Sequence, residues 1–154
     1  LKGKIKVNNK MSKFFIKKYY EPDLQLKLTN NLSKIANTSI DISDGLIDDL
    51  KKMINRQNCS FYIFEEKIPL SKNLRELVNI KKLKKINITS RGDDYQILFT
   101  ASPIKSGIIK KISKNIGVKI TKIGKIISGK NNSKIISIKN EQIEAKNKGY
   151  IHRF

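Results

Sequence analysis

Apolar residues first recur at helical spacing from Asp23 to Ile35, where Leu24, Leu28, Leu32 and Ile35 share one face behind a Glu21-Pro22-Asp23 entry. Ser39 to Ile42 is a short β-type segment broken at Ser43-Asp44-Gly45. A second helical stripe follows at once, with Leu46, Ile47, Leu50, Met53 and Ile54 on one face and Asp48, Asp49, Lys51 and Lys52 off it. The local plan is strand, tight turn, helix. Phe61 to Phe64 suits a strand, Pro69 to Val78 a short helix, and Tyr95 to Thr100 another strand entered through Gly92-Asp93-Asp94. Ile104, Ile108, Ile109, Ile112 and Ile116 predict a helix opened by Pro103 and closed at Gly117. Val118 to Ile127 and Lys134 to Ile138 read as strands around the turn-forming run 128–132. Strands mixed with helices predict an α/β, layered α+β domain with helices packed on a mixed sheet.

The 154 residues fit one ordinary domain. Their formal charge of +20 would normally point to nucleic acid or an anionic membrane. Yet 29 of the 33 basic residues are Lys, and Lys, Ile and Asn make up nearly half the chain. All three can be written with A- and T-rich codons, and a genome so biased spreads Lys over every exposed position. Lys is also distributed almost evenly, without aromatic-basic repeats, so a basic nucleic-acid-binding module is the alternative and not the leading reading. The single Cys59 rules out an internal disulfide framework and fits a reducing, cytoplasmic setting. No apolar run reaches the roughly 18 to 20 residues of a membrane span, and residues 1–11 lack the apolar core of a secretory signal. The chain begins at Leu1, as though cut from something longer.

The scarce acidic residues say more. Six of the seven Asp lie in two places: Asp41, Asp44, Asp48 and Asp49 around the first strand-to-helix turn, and Asp93 with Asp94 before a later strand. The turn Asp41-Ile42-Ser43-Asp44-Gly45 can aim two carboxylates at one point, with the Ser43 hydroxyl and free backbone N–H groups beside them. Mg²⁺ is commonly held by one or two carboxylates plus substrate phosphates, which this turn could supply. For Asp48 and Asp49, favouring the positive end of the helix is a sufficient explanation. Capping does not explain Asp41, which precedes any cap position. Arg91-Gly92-Asp93-Asp94-Tyr95 is a second candidate, where Gly92 permits close approach of a ligand. Sole His152 reads as surface or tail packing, and Cys59 as a small apolar filler.

Five segments in order then resemble the C-terminal half of thiamine-monophosphate kinases, of the aminoimidazole ribonucleotide synthetase-like superfamily: 39–50, 68–71, 92–100, 123–126 and 149–154. Tyr20-Glu21-Pro22 is similar to the family's approach to the first helix. The resemblance covers nearly the whole chain and about half of the family's protein. It implies a lead-in segment, 1–22, arriving from a missing N-terminal domain, and a C-terminal kinase domain, 23–154. It also implies transfer of the ATP γ-phosphoryl group to thiamine monophosphate with Mg²⁺, in a protein that is a homodimer when complete. By motif position, Asp41 and Asp44 correspond to Mg²⁺ ligands, Ser43 to an ATP contact, Asp93 to a substrate contact and Phe154 to the ring beside the thiamine moiety. Arg91-Gly92-Asp93 stands where the family has Gly-Gly-Glu, and Arg153 separates His152 from Phe154, so Tyr150 or Phe154 is the stacking ring. A selenophosphate or hydrogenase-maturation synthetase of the same superfamily is a close variant; the motifs 41–46 and 92–95 favour the kinase. A fragment of this kind is expected to be inactive alone.

Overall fold

The computed structural model describes residues 5–55, 57–81 and 83–144. Tyr150, His152 and Phe154, with the rest of the segment 149–154, lie outside the described residues. Six helices and six strands are assigned among those described: α1 (Asn9–Tyr20), α2 (Leu26–Ile35), β1 (Thr38–Asp41), α3 (Leu46–Met53), β2 (Cys59–Phe64), α4 (Lys72–Ile80), α5 (Lys85–Thr89), β3 (Ile97–Thr100), α6 (Ser106–Ile116), β4 (Gly124–Ser128), β5 (Lys134–Ile136) and β6 (Gln142–Ile143). The class is the expected α+β.

The strands form two sheets where the pattern suggested one. A four-stranded mixed sheet runs β4-β2-β5-β6, with β2 antiparallel to β4 and parallel to β5. The separate ribbon β1-β3 is antiparallel, pairing Thr38 with Thr100 and Asp41 with Ile97. Successive side chains of this ribbon point to opposite faces, and each face feeds its own cluster. Ile40 and its cross-strand partner Leu98 pack on the larger cluster, built from Leu46, Ile47 and Leu50 of α3 together with Phe61, Ile63, Ile86 and Ile135. Ile97 and Phe99 pack on the smaller one, around Leu28 and Ile35 of α2 and Ile112 of α6. Held on both sides, the ribbon is a fixed platform for the loops at its end.

Several boundaries differ from the sequence expectation. The helix expected from Asp23 starts at Leu26, leaving Leu24 61 % exposed. Residues 9–20 form α1, capped by Asn8, whose side-chain oxygen accepts the Met11 amide at 2.9 Å. The helix expected over Pro69 to Val78 begins three residues later, after Ser71 caps it through the Leu74 amide. The strand expected from Val118 begins only at Gly124. In α6, Ile112 is buried while Ile104, just ahead of the helix, is exposed, so the apolar stripe outruns the core available to it.

Candidate functional site

The two Asp-bearing loops meet at the end of the β1-β3 ribbon. Beyond the last strand pair, the Ile42 amide donates to the Gln96 carbonyl and the Tyr95 amide to the Ile42 carbonyl, each at 2.9 Å. The Asp93 amide then donates to the Ser43 carbonyl at 2.9 Å. Backbone approaches backbone here because two residues lack a side chain. A Cβ on Gly92 would lie 2.0 Å from the Ser43 carbonyl oxygen, and one on Gly45 would lie 2.5 Å from that of Ser90. Gly45 also has φ of 126°, a conformation few L-residues adopt. Thus Asp41, Ser43 and Asp44 share one loop pair with Asp93 and Asp94, more than forty residues away in sequence.

The first loop owes its shape to Asp49. Its Oδ2 accepts the amides of Ser43 at 3.0 Å, Asp44 at 2.9 Å and Gly45 at 3.1 Å. These are the N–H groups that the sequence suggested were free for a phosphate; the protein fills them with its own carboxylate. Neither Ser43 nor Asp44 caps α3: the cap position is Gly45, and it has no side-chain cap bond. Asp49 is only 1 % exposed, although helical spacing put it on the polar face. Burial pushes its pKa up, but the hydrogen bond from Lys52 and those from the Asp44 and Gly45 amides outweigh burial and leave it below the usual carboxylate range. Lys52 Nζ donates to Asp49 Oδ1 at 3.0 Å and also to Asp44 Oδ2. Asp44, and secondarily Asp49, raise the Lys52 pKa.

The second loop is conformationally tight. Asp93 and Tyr95 have φ of 69° and 51°, left-handed values that are uncommon for residues with side chains. The Tyr95 hydroxyl donates to Asp93 Oδ1 at 3.4 Å, and the Asp93 charge is the main cause raising the Tyr95 pKa. Asp94 is exposed as a residue, yet protein atoms crowd its carboxyl. That burial, then the Asp93 charge, push its pKa up to about 6.

Of the residues singled out from sequence, Asp41, Ser43, Asp44 and Asp93 are therefore brought together, and Phe154 lies outside the described residues. Asp41 is exposed at the end of β1, while the Asp44 side chain is 18 % exposed and ion-paired with Lys52. Among the described residues no three His, Cys, Asp or Glu gather as a metal cluster. Two hard carboxylates suit Mg²⁺ only as a partial ligand set, completed by water, phosphate or another polypeptide. Asp49 and Lys52 are the residues that sequence reasoning missed. A cavity of about 950 Å³ opens elsewhere between α4, α5 and the mixed sheet, lined by Ile68, Leu70, Val78, Leu83 and Lys85 among others; it includes none of the expected site residues. No helix among the described residues is long and apolar enough to cross a membrane.

No protein-family model matches the chain. It is 37 % identical over 128 residues to the thiamine-monophosphate kinase of Buchnera aphidicola subsp. Acyrthosiphon pisum, a match spanning 82 % of this chain and 39 % of that protein. It is 34 % identical over 148 residues to the thiamine-monophosphate kinase of Buchnera aphidicola subsp. Schizaphis graminum, spanning 94 % of this chain and 44 % of that protein. Among solved structures, AaThiL complexed with AMPPCP and TMP matches with a TM-score of 0.73 at 24 % identity, covering 97 % of this chain and 44 % of that one. The structural likeness establishes the fold, and the sequence matches establish that the chain is related to thiamine-monophosphate kinases. The chain spans less than half the length of these relatives.

Proposed function

We propose that this chain, a relative of thiamine-monophosphate kinases over most of its length, is the C-terminal part of an enzyme that moves the γ-phosphoryl group of ATP onto the phosphate of thiamine monophosphate, giving thiamine diphosphate and ADP. The observation that carries the reading is the interlocking of the loops at 41–45 and 92–95 through the Asp93 to Ser43 and Tyr95 to Ile42 hydrogen bonds. Phosphoryl transfer asks little covalent chemistry of the protein; it asks for positioning and for neutralised charge along the phosphates. A loop pair set on a rigid ribbon meets the first demand. AMPPCP and TMP are the ligands of AaThiL, which supports a nucleotide and a thiamine phosphate as the pair brought together here.

In this reading Asp41 and Asp44 hold Mg²⁺, which neutralises phosphate charge when bound. Ser43 touches ATP. Asp93, one methylene shorter than the family's Glu, contacts thiamine monophosphate, with Arg91 standing where the family has Gly. Phe154 or Tyr150 lies against the thiamine ring. Further acidic ligands, much of the nucleotide site and a homodimer interface come from an N-terminal domain, and the enzyme works in the cytoplasm. The 154 residues alone hold part of a site.

Thiamine diphosphate formation from thiamine monophosphate and ATP, followed by chromatography of the fluorescent oxidised thiamines, tests this. The 154 residues alone should give no product. Joined to an N-terminal domain they should turn over, and Asp41→Asn should remove charge stabilisation of about 3 kcal/mol, about a hundredfold in rate. Turnover by the 154 residues alone would contradict the shared site, and an undiminished rate in Asp41→Asn would contradict the metal assignment.

A further inference from the structure

Asp49 is the only charged side chain buried among the described residues, and the proposed chemistry gives it no task. An isolated carboxylate in that position would be expensive. This one is satisfied from two directions: three consecutive amides close on Oδ2, and Lys52 binds Oδ1. The amides belong to Ser43, Asp44 and Gly45, the residues that carry or follow the candidate ligands. Lys52 spans the gap from Asp49 to Asp44 and is 51 % exposed, so a cation arriving from solvent meets it at Asp44.

We propose that Asp49 and Lys52 are a positioning pair for the cation site: Asp49 fixes the turn that carries Asp44 beside Asp41 at the end of β1, and Lys52 is the counter-charge at Asp44 that an incoming divalent cation displaces. The inference rests on the proposed function in taking Asp41 and Asp44 as cation ligands. Its own content is the role of two residues that touch neither cation nor substrate in the loaded site. A helix-terminal anion site would leave these amides for phosphate. Here the internal carboxylate occupies them, which leaves the Asp41 and Asp44 side chains as the groups to meet a cation.

A purely structural lock and a positioning pair differ in what they do to cation binding. Mn²⁺, an oxygen-preferring cation with a paramagnetic signal, serves as the probe on the unmodified 154 residues and on variants. Asp49→Asn keeps the shape and loses the charge that gathers three donors. It should weaken Mn²⁺ binding roughly tenfold or more, as loss of an outer-shell partner does, and speed hydrogen exchange at the amides of Ser43, Asp44 and Gly45. Lys52→Met removes the counter-charge and leaves Asp49 its three amide donors, and should tighten Mn²⁺ binding about threefold or more, since a positive charge leaves the neighbourhood of a dication. The opposite signs are the signature, because a loss of stability alone would weaken both.

Mn²⁺ bound by the unmodified chain and lost in Asp41→Asn, yet unchanged within about twofold in both Asp49→Asn and Lys52→Met, would overturn this inference and leave the functional reading standing. Weaker binding in both variants would also overturn the counter-charge role. An unmodified chain that takes up no Mn²⁺ would also overturn this inference, because Asp41 and Asp44 would then hold no cation for the pair to serve, while the functional reading is decided separately by turnover of the chain joined to an N-terminal domain.

Discussion

Gly92 is where one side chain decides whether two loops can meet. A methyl group there would lie 2.0 Å from the Ser43 carbonyl oxygen, a distance no rotamer relieves because both partners are backbone. Gly92→Ala should cost about 1–3 kcal/mol, as forced overpacking does. The loss should appear as a lower melting temperature and faster hydrogen exchange at the Asp93 and Tyr95 amides. Asp49 of α3 and Asp94 of the second loop should respond to acid in opposite ways. Asp49 has a depressed pKa in the folded chain, so its stabilisation is complete above the unfolded value near 4 and is lost as pH falls through the lower folded value. Asp94 is raised to about 6. Folding therefore favours its protonated form, and stability should rise as pH falls from about 6 to about 4, then level off. Asp94→Asn should abolish that rise and stabilise the chain at neutral pH by less than about 1 kcal/mol, because the residue is exposed. Urea denaturation of both proteins between pH 3 and pH 8 checks both signs, with roughly half-unit steps adequate to separate them. The scarcity of Asp made the two clusters visible in the sequence. The task of Asp49 was not visible there, because periodicity sorts residues by polarity, and a carboxylate satisfied by backbone amides is polar yet buried.

At the scale of elements, α3 has to do two jobs. Its apolar face, Leu46, Ile47, Leu50 and Met53, anchors the larger cluster, while Asp49 holds the turn in front of it. Leu50 is 2 % exposed, and Leu50→Ala should cost about 2–5 kcal/mol. A calorimetric loss under about 1 kcal/mol would mean that α3 is not the anchor. This helix was legible because its stripe is unbroken and faces a real core, and the strands β1 and β2 were legible for the same reason. By contrast, α1 buries only Met11, so its sequence shows scattered Lys without a stripe, and its start is set by Asn8 as a cap. The five-residue α5 is too short for periodicity to register, although Ile86 within it is almost fully buried. Residues 118–123 carry a β-type composition but lie outside β4, whose register with β2 begins where Gly124 meets Ile63, one residue after the Ile123 carbonyl accepts the Phe64 amide at 2.9 Å.

For the whole molecule, the decisive fact is a long-range one. Strands β1 and β3 are separated by more than fifty residues, and their pairing turns two unremarkable acidic loops into one loop pair. Local sequence showed the parts and could not show that they touch; only the resemblance to thiamine-monophosphate kinases hinted at it. The +20 charge plays no part in this arrangement beyond Lys52, which is consistent with Lys as a compositional background. The central claim is that the two loops are one interlocked unit around a cation held at Asp41 and Asp44. Its most direct test is a Mg²⁺ titration of the isotopically labelled chain, followed through its backbone amide resonances. The account predicts that the amides of 41–45 and 92–95 shift together along a single binding curve, and that Asp41→Asn abolishes the shifts in both loops. Shifts confined to one loop, or shifts that survive Asp41→Asn, would contradict it.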